Sequence, residues 1–107
     1  MFKNHVYKPE YIVAEDGGKI IGLAGCIESW MDYSVYQIFW VNVLPEHQMK
    51  GIGTELVKKL MRKIKKHAEA QFILISTDKP EFYMKLGFRE LAELKGKYRL
   101  MIFRIRK

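Results

Sequence analysis

The sequence predicts an α/β fold, a mixed and mostly antiparallel sheet built around one central parallel β-α-β unit. Three observations carry this. Glycine-bearing turns at residues 16–19 and 95–97 each join two runs of strand-forming residues. Residues 51–70 repeat apolar side chains at helical spacing. That helix stands between two short apolar runs, 36–44 and 72–76, an order that requires a parallel pair joined by a right-handed crossover.

The elements follow in chain order. Residues 11–15 are rich in strand formers, and Asp16-Gly17-Gly18-Lys19 favours a tight hairpin turn. Residues 20–27 read as the returning strand, in which Gly22 and Gly25 mark a bulge or a close backbone approach. Residues 28–34 read as a loop. The aromatic and β-branched run 36–44 reads as a buried central strand that Pro45 stops.

In the helix, Ile52, Leu56, Leu60, Ile64 and Ala68 recur every four residues, with Val57 and Met61 beside them. Lysines and one arginine fill the other side, which reads as a solvated face. Residues 72–76 form a second buried strand. Pro80 and Glu81 suit the first turn of a short helix through Leu86, which Gly87 ends. Residues 88–94 and 98–106 are strands of a second hairpin.

The 107 residues fit one small domain, taken as residues 1–107. Hydrophobic residues at 49% and charged ones at 29% set the chain apart from disordered sequences. No apolar run is long enough to span a bilayer, and residues 1–5 lack the pattern of a secretory leader. The single cysteine, Cys26, precludes an internal disulfide and points to a reducing, cytoplasmic setting. His5, His47 and His67 share no metal-binding spacing, so no metal is expected. The net charge of +7 attracts anions: nucleic acid, an anionic membrane surface or a phosphate-rich small molecule.

Residues 43–54 choose among these. A strand ends, a short turn carries Gly51 and Gly53, and a helix begins. Unpaired N–H groups and a partial positive charge at a helix start stabilise an anion, and a diphosphate fits well. Gly51 and Gly53 remove Cβ atoms that would block close approach, Lys50 adds charge and Thr54 a hydroxyl. The segment lacks the Gly-Lys-Ser/Thr end of a nucleotide P-loop, and Leu56 stands where a dinucleotide fingerprint needs its third glycine.

What remains is Gln/Arg-x-x-Gly-x-Gly/Ala, matched by Gln48-Met49-Lys50-Gly51-Ile52-Gly53. Downstream, Phe82-Tyr83-Met84-Lys85-Leu86-Gly87-Phe88 fits a second pattern, Phe/Leu-Tyr-x-x-x-Gly-Phe. With both motifs in this order, the chain resembles the GNAT superfamily of N-acetyltransferases over residues 11–104. It would be a short form, since the strand and helices that usually open the family have no counterpart before residue 11. Either the acceptor site is open, or a partner chain completes it.

The resemblance implies two central strands that splay, with the pantetheine arm of acetyl-CoA entering the gap. The backbone of Asn42, Val43 and Leu44 would then bind the acetyl carbonyl and pantetheine. The turn from Gln48 through Met49, Lys50, Gly51, Ile52 and Gly53 to Thr54 would hold the pyrophosphate. Lys85 would reach phosphate, and Ser76 stands where the family often has asparagine. Tyr83 matches the position that protonates the departing thiolate. Glu28, Asp32 and Tyr36 are candidate bases. The acceptor would be an amine on a small molecule or protein. Trp30, Tyr33, Tyr36, Phe39 and Trp40 are expected in the core, in the acceptor pocket or at a homodimer contact. No membrane partner is expected, and no nucleic-acid motif supports a nucleic-acid partner.

Overall fold

The computed structural model describes residues 9–28 and 34–105, with Trp40 described by its backbone alone. The expectations placed on residues 1–5, on Trp30, Asp32 and Tyr33, on the Trp40 side chain and on Arg106 lie outside the described residues. The chain runs β1 (Glu10–Asp16), β2 (Lys19–Glu28), β3 (Val35–Val43), a 3₁₀ turn (Pro45–His47), α1 (Ile52–Lys65), β4 (Phe72–Thr77), α2 (Pro80–Met84), β5 (Arg89–Glu93) and β6 (Arg99–Arg104). The six strands form one sheet in the order β1-β2-β3-β4-β6-β5. Among the described residues only β3 and β4 run parallel, and α1 is the crossover between them.

The first hairpin closes on the pair Asp16–Lys19, with Gly17 and Gly18 at φ of 58° and 82°. Two successive positive φ values make the turn whose twist matches that of the strands it joins. The irregularity expected around Gly22 and Gly25 is present, as the β2–β3 register shifts between Leu23 and Gly25. A Cβ at Gly25 would stand 2.9 Å from the Tyr11 ring, which meets Phe39 edge-on above it.

Both helices lie on the same face of the sheet. Lys65 at the end of α1 sits over the Phe103 ring, 5.2 Å from its centroid, and Phe88, just after α2, packs on that ring too. Phe103 pairs with Ile73, and Ile73, Ile75, Met101, Leu60 and Ile64 form the core beneath the helices. Alternation turns Tyr11, Gly25 and Phe39 to the opposite face.

The long helix is shorter than its pattern suggests. It ends at Lys65, and Ala68, the last member of the four-residue series, is exposed. Backbone bonds from Lys66 to Lys63, His67 to Ile64 and Ala70 to His67 tighten the chain into three-residue turns that lead it back to β4. Likewise α2 stops at Met84, and β6 at Arg104. On the outer side of α1, Lys58–Arg62, Lys59–Lys63 and Arg62–Lys66 are like-charge neighbours. Each such pair costs a helix about 0.2–0.5 kcal/mol. Cations in the last turn recover part of this from the helix dipole.

Candidate active site

The parallel pair holds together only at its beginning. Val35, Tyr36 and Gln37 pair with Phe72, Ile73 and Leu74, and there the ladder ends. Each strand continues without the other: β3 stays with β2 to Val43, and β4 stays with β6 to Thr77. From Ile38 onward the strands diverge, leaving a rim of backbone groups that an extended, amide-bearing chain can pair with.

The polarity of that rim follows from one bond. Leu44 N–H donates to the Ile21 carbonyl at 2.8 Å. The adjacent pair, Val43 and Gly22, is therefore the non-hydrogen-bonded kind, so Val43 points its N–H and C=O away from β2, into the gap. Leu44 itself is committed to the sheet and does not line the groove. By strand alternation the backbone of Asn42, opposite Leu23, faces β2 as that of Leu44 does, so of the three backbone positions expected to meet a ligand only Val43 turns into the gap.

The gap opens into a groove of about 730 Å³. One wall is the end of β3 and the turn after it: Val41, Asn42, Val43, His47, Gln48, Met49, Gly51, Ile52, Gly53 and Thr54. The other is Thr77, Asp78 and Lys79 beyond β4, Phe82 and Tyr83 on α2, and Tyr98 before β6. Of the sequence-derived candidates, Asn42, Val43, Gln48, Met49, Gly51, Ile52, Gly53, Thr54 and Tyr83 come together here. Lys50, Ser76 and Lys85 are exposed residues outside the wall.

Two residues hold the turn by unusual backbone, Met49 at φ 65° and Gly51 at φ 80°. Gln48 bridges it, its Nε2 donating to the Val43 carbonyl at 2.9 Å. Gly51 begins α1 without any side-chain cap, so the first-turn N–H groups face the groove. The two glycines serve different ends. Gly51 is required by its left-handed φ, since a Cβ there would meet nothing within 4 Å. At Gly53 neither strain nor crowding demands glycine. A Cβ there would make ordinary contact with Val43 Cγ2 at 3.9 Å and Phe82 Cζ at 4.0 Å, both in the groove wall. The protein leaves room at this point of its helix start that it does not itself use, which fits a diphosphate laid against the N–H groups.

Tyr83 is buried, stacked edge-on between Phe82 (centroids 4.9 Å apart) and Phe88 (5.5 Å). The Phe88 N–H donates to its carbonyl at 3.0 Å, which fixes the residue relative to the following chain. Burial pushes its phenol from 10.0 up to about 12, so the proton stays on at neutral pH. Tyr36 fails as a base on similar grounds. It lies in the closed part of the β3–β4 pair and stacks on His67 at 5.1 Å. Burial and then the nearby Glu28 and Glu10 carboxylates raise it to about 12.

At the end of β4 it is Thr77, not Ser76, that lines the groove. Strand alternation puts Thr77 on the face of Ile73 and Ile75, and it is 8% exposed, while Ser76 turns the other way. Its Oγ1 accepts the Lys79 N–H at 3.0 Å. Asp78, Lys79 and Tyr98 were not singled out by the sequence. The first two follow from Thr77, whereas Tyr98 reaches the groove through the pairing of β6 with β4, which no local motif announces.

A family model described as an acetyltransferase (GNAT) domain matches residues 8–90. An uncharacterized N-acetyltransferase of Methanocaldococcus jannaschii is 30% identical over 99 residues, covering 85% of this chain and 44% of that protein. The chain thus spans less than half the length of this curated relative. Among solved structures, Escherichia coli ElaA superposes with a TM-score of 0.79 at 18% identity, covering 89% of this chain and 68% of that one. An aminoglycoside 6'-N-acetyltransferase complexed with coenzyme A gives 0.80 at 18% identity, with 92% and 74% covered. The N-acetylglutamate synthase of Neisseria gonorrhoeae, complexed with coenzyme A and N-acetyl-glutamate, gives 0.78 at 18%, with 92% and 26% covered. At such identities the likeness speaks for the fold.

Proposed function

Because the chain belongs to the GNAT acetyltransferase family, we propose that it transfers the acetyl group of acetyl-CoA to a primary amine by direct attack of the acceptor nitrogen. The observation that carries the reading is the continuity of the β3–β4 gap with an uncapped helix start that has unused room at Gly53. A diphosphate-headed, amide-bearing arm ending in a thioester suits both halves at once.

In this reading, the N–H groups from Met49 to Thr54 hold the pyrophosphate. The pantetheine lies along β3, where the Val43 N–H faces it and Asn42 borders it. His47 and Lys79 on the groove wall add basic groups towards the phosphates, and the exposed Lys50 and Lys85, outside the wall, are read as reaching them from solvent. The amine attacks the thioester carbonyl carbon, and a C–N bond forms as charge moves onto oxygen. An amide N–H on the rim, that of Val43, stabilises this oxyanion. Collapse breaks the C–S bond, and the amine's extra proton leaves to solvent.

Tyr83 hydrogen-bonds the departing sulfur. Its pKa of about 12 stands well above that of an ordinary thiol, about 8.5. It therefore assists as a donor to developing thiolate more than as a strong acid.

We further read residues 1–107 as one domain, working without a metal in a reducing, cytoplasmic compartment and pairing as a homodimer. Support for the compartment is the lone, buried and free Cys26. The acceptor is a small molecule or protein bearing the amine.

The test is calorimetry and thermal shift with CoA and acetyl-CoA, followed by thiol release over a panel of amines and peptides. Binding with turnover bears the reading out. Binding without turnover on any acceptor makes the chain a coenzyme-binding module. No binding to folded protein removes the reading.

A further inference from the structure

The long helix carries most of the chain's excess charge. Along residues 52–66 stand Lys58, Lys59, Arg62, Lys63, Lys65 and Lys66 against the single Glu55, a net +5 within a chain of +7. Helical periodicity gathers Lys58, Lys59, Arg62 and Lys66 on the side away from Leu56, Leu60 and Ile64, which are buried, with Lys63 on one flank and Lys65, over the Phe103 ring, on the other. Among the described residues Lys58, Lys59, Arg62, Lys63 and Lys66 enter no ion pair. None of the six lines the groove.

From sequence alone this side reads as solvated. A face laced by its own salt bridges alternates its signs along the helix. Here cations stand three and four residues apart, with no carboxylate among them beyond the first turn.

We propose that this face docks the phosphodiester backbone of a nucleic acid, without regard to base sequence. Five of the six cations are lysines, point charges suited to phosphate rather than forked donors for base edges. The rows Lys58–Arg62–Lys66 and Lys59–Lys63 follow the helix axis with about 6 Å of rise between members. That is a ladder for a polymer charged at every repeat, not a cup for one anion. No exposed apolar or aromatic side chain interrupts the face. It thus offers nothing to stack on a base or to enter a bilayer, which sets the backbone of a nucleic acid above a membrane. The proposal stands independently of acetyl transfer.

Fluorescence anisotropy with a labelled duplex of mixed sequence tests it. Binding is expected to weaken with salt at a log–log slope of about −4, as for roughly four neutralised phosphates. The triple variant Lys59→Ala/Arg62→Ala/Lys63→Ala should bind at least tenfold more weakly yet melt no lower than the parent. The charge-matched control Lys19→Ala/Lys95→Ala/Lys97→Ala should bind as the parent does. Absence of binding at low salt, equal loss in both variants, or tighter association with phosphatidylserine vesicles or polyglutamate than with the duplex would each overturn it.

Discussion

The side chain of Gln48 donates from Nε2 to the carbonyl of Val43 at 2.9 Å, tying the first residue of the glycine motif to the last residue of β3. The amide thereby occupies the Val43 oxygen, one of the two gap-facing groups of that residue, and leaves the other, the N–H, as the donor. Gln48 acts on the groove by shaping its turn. Gln48→Ala is expected to loosen the turn and raise the Kd for CoA about fivefold, which is the ~1 kcal/mol of one hydrogen bond. Gln48→Arg, which keeps a donor, should retain most of the affinity. Calorimetry on the two variants checks this.

Gly51 and Gly53 should separate under the same substitution. Gly53→Ala gains helix propensity of up to about 1 kcal/mol and should melt higher, while losing CoA binding to a methyl group set in the diphosphate's place. Gly51→Ala forces a side chain into φ 80° and should melt lower, by about 1–2 kcal/mol of stability. Paired melting curves with and without CoA read both signs at once. Gly53→Ala that binds CoA as the parent does contradicts the placement of the pyrophosphate.

Tyr83→Phe keeps the ring between Phe82 and Phe88 and removes only the hydroxyl. Turnover is expected to fall by about a hundredfold, the lower end for a positioned proton donor, with KM for acetyl-CoA little changed. With the phenol raised to about 12, its ionisation places no alkaline limb on the wild-type rate below pH 10. Steady-state kinetics across pH 6–10 on both proteins decide. Full activity in the variant removes the donor role.

Alkali should destabilise the fold through three buried protons. Burial, with the Glu10 carboxylate second, raises Cys26 from 9.0 to about 12, and burial raises Tyr36 and Tyr83 from 10.0 to about 12. Unfolded, these groups give up protons from pH 9 and 10 upward, whereas the folded chain keeps them to about 12. Their contribution is therefore complete below pH 9 and is lost as pH climbs through that window. Each group adds up to about 1.4 kcal/mol of lost stability per pH unit. Urea titrations at pH 8, 9.5 and 10.5 should show the decline, and Cys26→Ala should show a shallower one.

Much of this was legible in the chain because its signals are local. Two glycines at 17 and 18 fix a hairpin, and a stripe ending in Ile64 fixes a helix. What escaped was decided elsewhere. Ala68 keeps the stripe's period, yet the chain must turn back there for Gln71 and Phe72 to donate to the Ser34 carbonyl. The resemblance points to Ser76, whereas the alternation of Ile73, Ile75 and Thr77 already names Thr77 as the inward residue. The resemblance takes the backbone of Asn42, Val43 and Leu44 together, but neighbouring amides of a strand point in opposite directions, and only that of Val43 faces the gap. Tyr98 depends on which strands pair, which sequence spacing does not encode.

A sheet that parts in its middle owns four borders instead of two. Natural sheets guard their outer borders against stray strands, whereas this inner pair is bared by design. Until a ligand fills the cleft, the amide protons along the bared side of β3 should trade rapidly with deuterium, and the empty protein should be its most association-prone form. An arm that zips into the cleft would slow that exchange and shield the chain from its own copies, so the proposed co-substrate would also act as its chaperone.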